Sequence, residues 1–319
     1  MSMLNLSDSG FEQRLLDSTR SDVQRAHDAA RHLIGSGGKR VRPRLAMLVA
    51  RAAGLAEETA QQIGTAAELV HSATLLHDDV IDRCDTRRGH PTVSAKYGIG
   101  SAILTGDFLL AQALLSLTDA ELYPATRELS RAVRELAEAE ILQLQEAFDP
   151  ASPLSATRRI ADGKTGALFA WCARAVVVTA RDDATQESPA FRNADQLGRM
   201  IGYAFQVADD LLDFLPETDA GKPVAKDLRE GQVTIPMQLA RQEDPALDAA
   251  IHEAFKTRSE DAFDRCYILL RQGKAEEAGR VEVATALASA RDCLARLTTD
   301  PAIQRDFADY LSACTLRTQ

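Results

Sequence analysis

Aromatic side chains are scarce, at 5% of 319 residues. Any core must therefore be filled by aliphatic side chains and alanine, the usage of a helical globule. Strand-like alternation is scarce too. Apolar residues recur instead at helical spacing, as in Leu45, Leu48, Val49 and then Ile63, Ala66, Ala67, Val70. The five cysteines, Cys84, Cys172, Cys266, Cys293 and Cys314, include no C-x-x-C pair, which argues against a zinc site or a disulfide framework and fits a reducing cytoplasm. Positive charge is in deficit, 37 basic against 47 acidic residues for a net charge of -10, which argues against a general nucleic-acid binder. An anionic ligand must then be held by a local basic cluster. No segment is expected to reach the roughly 20 apolar residues of a membrane span, and the first residues lack the basic head and apolar run of a leader. A soluble chain is the expectation.

What is present reads as helices separated by short breakers: GSGG at 35–38, RRGHP at 87–91, GIG at 98–100, DPASP at 149–153 and PETDAGKP at 216–223. Ser36 reads as the close of one helix, and the DPASP segment as the stop and N-cap of the next pair. None is long enough for a flexible linker, and no repeat or low-complexity tract is evident. The expected architecture is a single all-α domain over residues 1–319, about a dozen helices.

The chemistry concentrates in two acidic segments. HSATLLHDDVIDRCDTRRGHPT places Asp78, Asp79 and Asp82 at the end of a helical run expected from Gln61 to Asp82. Positions i and i+4 share a helix face, so Asp78 and Asp82 present two carboxylates together while Asp79 lies about 100° round the axis. Such a pair repels itself and opposes the dipole at a helix C-terminus, a cost that a hard divalent cation such as Mg²⁺ bridging to a phosphate would remove. FQVADDLLDF repeats the spacing with Asp209, Asp210 and Asp213. Two such helix ends can hold several ions around one polyanion.

Cations stand where a diphosphate would need them. Arg87 and Arg88 follow the first cluster within one loop, and guanidinium forks take phosphate oxygens in pairs. Lys39, Arg40 and Arg42 lie in GSGGKRVRPR, whose glycines permit close backbone approach to an anion. Lys164 in DGKTGALF and Lys222 in DAGKPVAKDL are further candidates.

From about Gly35 to Pro236 these segments resemble the trans-type polyprenyl diphosphate synthases: GGKRVRP, HSATLLHDDVIDxxDxRRGxPT, GDFLL, KTGALF, GxxFQxxDDLLD and GKPxxxDLxEGxxTxP occur in the family's order. The resemblance implies a helical bundle of the isoprenoid synthase type with a central cavity, a homodimer as is common among family members, and the use of three Mg²⁺ ions. It assigns Asp78, Asp82 and Asp209 as metal ligands, with Asp79, Asp210 and Asp213 in support. Arg87, Lys164 and Lys222 would bind the allylic diphosphate, farnesyl or geranylgeranyl. Lys39, Arg42, His71 and Arg88 would bind isopentenyl diphosphate, and Thr165 and Gln206 would stand beside the allylic cation. Lys164, Thr165 and Gln206 are the catalytic set on this reading. His77 reads either as a packed histidine or as one that supports the cluster from behind its ligands. Two departures are visible: the family often has Gly where Ala225 sits and Lys where Gln232 sits.

Product length should follow from how far the growing chain runs between helices. Ala73 and Thr74, about one turn before Asp78, are small where short-chain relatives carry a bulky aromatic, so a product longer than farnesyl is expected. Leu136, Ile141, Leu142 and Phe148 are candidates for the tunnel floor. The motifs look most like octaprenyl-type synthases, within a range from hexaprenyl to decaprenyl. A terpene cyclase would carry an Asn/Ser/Glu pattern at the second site, and a silent partner subunit would lack motif aspartates. A di-iron bundle would need Glu-x-x-His pairs on core helices, and none of the six histidines is expected to have that Glu three positions before it.

Overall fold

The computed structural model describes residues 10–87, 89–181, 183–213 and 225–315. Apart from a minimal hairpin, regular structure in those residues is helical. The chain forms two compact units. The first comprises 1–131, 171–194 and 297–310; the second comprises 132–170, 195–296 and 311–319.

In the first unit the organising element is the helix Glu57–Ile81. At 25 residues it is about 37 Å long. It starts four residues before the expected Gln61: Gly54 ends the preceding helix Val41–Ala53 in the left-handed conformation, and Glu57 and Glu58 then favour the N-terminal end of the dipole. The periodic residues Leu45, Leu48, Val49, Ile63, Ala66, Ala67 and Val70 are all buried, as their spacing demands. Glu57–Ile81 packs against Val41–Ala53 and against the helix Ile99–Asp119. Its approach to the latter is set by Gly106, because a Cβ there would fall inside the His77 ring. Thr86–Arg87 and His90–Pro91 pair as a minimal antiparallel hairpin, with Thr86 opposite Pro91 and Arg87 opposite His90. Of GIG, only Gly98 interrupts the helices, separating Val93–Tyr97 from Ile99–Asp119.

Ile99–Asp119 alone among the described helices bears on the expected absence of a membrane span. By length and composition this helix could cross a membrane. Ser, Thr, Gly, Gln112 and Asp107 interrupt its apolar residues, so no uninterrupted run marks it in the sequence. Its residues Ala102, Leu109, Ala113 and Leu117 are buried, whereas Ile99, Ile103, Leu104 and Leu115 are exposed.

The second unit is built around Leu211, Leu228, Met237, Leu247, Ile251, Phe255 and Phe263. Phe148 packs on this cluster, edge-on to Phe255. Ile141 is exposed, and Leu136 and Leu142 are half-buried. The helix Leu154–Ala161 follows Pro153, as DPASP predicts, and runs into a π-helical turn, Asp162–Gly166. Such turns insert one residue and re-aim the side chains around them. This one is tightly seated: a Cβ at Gly202 would lie 2.7 Å from the Gly166 Cα. The breaker at 216–223 lies outside the described residues.

Candidate active site

In the first unit, Asp78, Asp79 and Asp82 occupy the last turn of Glu57–Ile81 and its C-cap. The Asp82 N–H donates to the Asp78 carbonyl at 2.8 Å, so the i, i+4 relation survives to the end of the helix. Asp82 is exposed and Asp78 half-buried, while Asp79 is turned inward and 1% exposed. Arg87 reaches back eight residues from the hairpin and donates from Nε to the Asp79 Oδ1 at 2.8 Å. The resemblance assigns Arg87 to the allylic diphosphate, and in the structure the same guanidinium lies against Asp79. The other Asp79 oxygen, Oδ2, is buried and has no hydrogen-bond partner among the described residues.

The basic segment lies in the same unit. Lys39 is exposed, and Arg42, in the first turn of Val41–Ala53, is buried. Burial pushes the Cys172 thiol up to about 12, opposed by the Arg42 cation and reinforced by the Glu68 anion, so both charges act on one buried locus. His71 follows Glu68 by three residues, and its carbonyl accepts from the Thr74 hydroxyl at 2.9 Å. Ala73 is buried. Glu68 and His71 do form one Glu-x-x-His spacing, but the Glu68 carboxylate accepts from Arg40 Nη1 at 3.0 Å, so it is committed to an ion pair. His77 Nε2 lies 3.2 Å from the Ile103 carbonyl, a packed position between two helices. Arg88 lies outside the described residues.

The second unit carries the other cluster at the end of the helix Pro189–Leu212. Asp209 is exposed and Asp210 buried. Thr165 on the π-turn donates to the Gln206 Oε1 at 2.6 Å, and the Gln206 Nε2 donates to the Asp210 Oδ1 at 2.8 Å. This chain joins the π-turn to the acidic cluster and fixes the Gln206 amide. Burial pushes the Asp210 carboxyl up to about 7; the Gln206 bond opposes this and the Asp209 charge adds to it. Asp213 accepts the backbone N–H groups of Lys226 at 2.8 Å and Asp227 at 3.1 Å, although burial still raises it above the usual range. Asp227 is raised well above that range by burial and by Asp213 and Asp210.

Lys164, also on the π-turn, lies 3.0 Å from the Glu140 Oε1. Arg199 holds the same turn at its start, donating to the Asp162 Oδ2 at 2.7 Å and in a fork to Glu135. Sequence reading missed Glu140, Glu135, Arg199 and Asp162, because their partners lie on other helices. Lys222 lies outside the described residues. Ala225 sits at φ 54, ψ 47, the left-handed conformation that glycine adopts most readily. At the other departure, the Gln232 N–H donates to the Asp227 carbonyl at 2.8 Å.

A polyprenyl synthetase family model matches residues 23–270. The octaprenyl diphosphate synthase of Escherichia coli is 36% identical over 229 residues, covering 72% of this chain and 70% of that protein. Among solved structures, the heptaprenyl diphosphate synthase of Staphylococcus aureus superposes with a TM-score of 0.90 at 30% identity, over 99% of each chain. A polyprenyl synthase of Caulobacter crescentus, determined with calcium and isoprenyl diphosphate, gives 0.87 at 32% identity over 98% of this chain and 96% of that one. The match spans both units and includes each acidic motif, and the fold is the helical isoprenoid synthase fold. This chain belongs to the polyprenyl synthetase family and is a prenyltransferase of isoprenoid synthesis.

Proposed function

We propose that the chain condenses isopentenyl diphosphate with an allylic diphosphate, farnesyl or geranylgeranyl, to give a long-chain polyprenyl diphosphate of the octaprenyl class for quinone side chains. The observation that carries this reading is the division of labour in each acidic cluster. Asp79, Asp210 and Asp213 are bonded within the fold, by Arg87, Gln206 and two backbone N–H groups, whereas Asp82 and Asp209 are exposed. Asp78 and Asp82 on one helix face and Asp209 at the other helix end are the carboxylates best placed for external cations.

The donor chemistry fits magnesium. Among the described residues, no group of three or more His, Cys, Asp or Glu side chains gathers to hold a metal alone. Magnesium keeps waters and takes one or two carboxylates together with substrate phosphates. The unpartnered Asp79 Oδ2 and the raised Asp210 are both conditions that a nearby cation relieves. When bound, Mg²⁺, three ions on the family pattern, would spread the charge of the departing diphosphate.

The chain's own groups supply the remainder. Lys164 neutralises charge on the allylic diphosphate as its C–O bond breaks and the electron pair leaves with that diphosphate. The hydroxyl of Thr165 and the amide of Gln206, fixed by their mutual bond, stabilise the allylic cation as the isopentenyl alkene attacks it. The proton then passes from the isopentenyl unit to the departed diphosphate, so no side-chain base is required. Lys39, Arg42 and His71, with Arg88, hold isopentenyl diphosphate, and Arg87 and Lys222 join Lys164 on the allylic diphosphate.

In this reading residues 1–319 act as one soluble, cytoplasmic domain. The exposed Ile99, Ile103, Leu104 and Leu115 on Ile99–Asp119 support covering of that face by a second copy in a homodimer. The test is incubation with Mg²⁺, labelled isopentenyl diphosphate and farnesyl diphosphate, followed by chromatography of the dephosphorylated products. A ladder ending at one long prenol is expected; no elongation with any allylic primer sinks the reading. Ala73→Tyr should shorten that product, and an unchanged distribution removes Ala73 from the tunnel.

A further inference from the structure

Arg40 stands in the Gly-rich segment between Lys39 and Arg42, yet its side chain is buried. Its backbone is left-handed, φ 48 and ψ 42, a conformation that glycine adopts readily and a residue with a Cβ adopts at a cost. The guanidinium accounts for a long side chain there. Nη1 donates to the Glu68 Oε2 at 3.0 Å, Nε to the Glu12 Oε1 at 2.9 Å, and Nη2 to the Glu12 Oε2 and the Ile34 carbonyl, each at 3.1 Å. Arg40 thus ties together the helix Phe11–Asp17, the end of the helix Gln24–Ile34 and the middle of Glu57–Ile81.

Glu68 is the other half of the argument. Its side chain is 4% exposed, so it has given up nearly all its hydration to meet Arg40. Burying both charges costs desolvation that their attraction often only offsets, and an apolar pair of similar volume would serve stability as well. What an apolar pair cannot do is fix direction, and a forked guanidinium on a carboxylate does. That direction matters at this place. Lys39 and Arg42 flank Arg40 within two residues, and His71 lies one helical turn beyond Glu68. Arg42 and Glu68 also act on the same buried Cys172.

We infer that Arg40 and Glu68 are positioning residues, whose buried ion pair sets the distance and orientation of Lys39 and Arg42 relative to His71 and so organises the binding of isopentenyl diphosphate. This inference rests on the assignment of those three residues to that substrate. It predicts an asymmetry between the two substrates that loss of general packing would not produce.

The test uses the full chain, with KM for isopentenyl diphosphate and for farnesyl diphosphate measured separately beside thermal melts. The Arg40→Met/Glu68→Leu double variant replaces the pair by apolar volume. It should melt near the parent while its KM for isopentenyl diphosphate rises about tenfold or more and its KM for farnesyl diphosphate stays within about twofold. Glu68→Asp, which keeps the charge on a shorter arm, should fall between parent and double variant. A folded double variant with both KM values unchanged, or both raised equally, overturns the inference. If the double variant does not fold, Glu68→Asp decides by the same criterion, an isopentenyl-specific rise supporting the inference and its absence ending it. Failure of the parent protein to consume isopentenyl diphosphate would instead overturn the functional reading, so the two failures are distinct.

Discussion

The two acidic helix ends share a spacing and differ in how they are neutralised. At the end of Glu57–Ile81, the buried Asp79 meets a guanidinium supplied by the hairpin eight residues on. At the end of Pro189–Leu212, the buried Asp210 meets two neutral donors, the Gln206 amide and the Ile235 backbone N–H, and burial pushes its carboxyl up to about 7. Asp213 and Asp227 are raised beside it. The first cluster balances its inner charge with an arginine. The second answers it with neutral dipoles and with carboxyls raised by burial, and is therefore the one whose stability depends more on pH and on added cations.

The largest expected effect is on turnover. Asp209→Ala or Asp78→Ala should lower kcat by on the order of 10³, comparable to loss of a principal electrostatic stabiliser, with helicity by circular dichroism unchanged. Normal turnover in either variant would remove the metal assignment from that cluster.

Next comes the pH dependence of the metal-free protein. A carboxyl raised from the ordinary value of about 4 to about 7 keeps its proton in the folded state while the unfolded chain has lost it. Its contribution is fully present below about pH 4 and is lost as pH rises to 7, at most about 4 kcal/mol for a shift of this size. Asp213 and Asp227 act in the same direction. Denaturant titrations without metal should show stability falling from pH 5 to 8, with Asp210→Asn flattening the slope and millimolar Mg²⁺ restoring stability at pH 8. A slope unchanged in Asp210→Asn would break the contrast between the clusters.

Arg87→Ala probes the first cluster. It leaves Asp79 buried without its cation and should cost about 3 kcal/mol in denaturant unfolding, since stranding one member of a buried pair is more damaging than removing both. Arg87→Ala/Asp79→Asn should recover part of that loss; no recovery would mean that the arginine does not act through Asp79.

The smallest effect is expected at Ala225→Gly. Relief of the left-handed backbone favours glycine by about 1 kcal/mol, while the lost buried methyl costs about 0.8 kcal/mol. The midpoint of unfolding should therefore move little, and a large loss would show that the Ala225 methyl matters more to packing than its backbone conformation suggests.

Much of this was legible in the sequence because it is local. Helical period identified the buried faces of Val41–Ala53 and Glu57–Ile81, and the i, i+4 relation of Asp78 and Asp82 follows from helix geometry over four residues. Motif order carried the family. The start of Glu57–Ile81 was misplaced by four residues because acidic residues at a helix N-terminus compete weakly with apolar pattern as a signal.

By itself, then, the sequence determined the helices, the two carboxylate clusters and the segments that carry the basic residues, all set by spacing along one strand of chain. Only the tertiary structure decided which members of those sets turn inward: Asp79 toward Arg87, Asp213 toward the N–H groups of Lys226 and Asp227, Lys164 toward Glu140, and Arg40 toward Glu68. The physical reason is that a buried charge must find its partner wherever the fold provides one, and spacing within a single helix does not record what another segment brings to it.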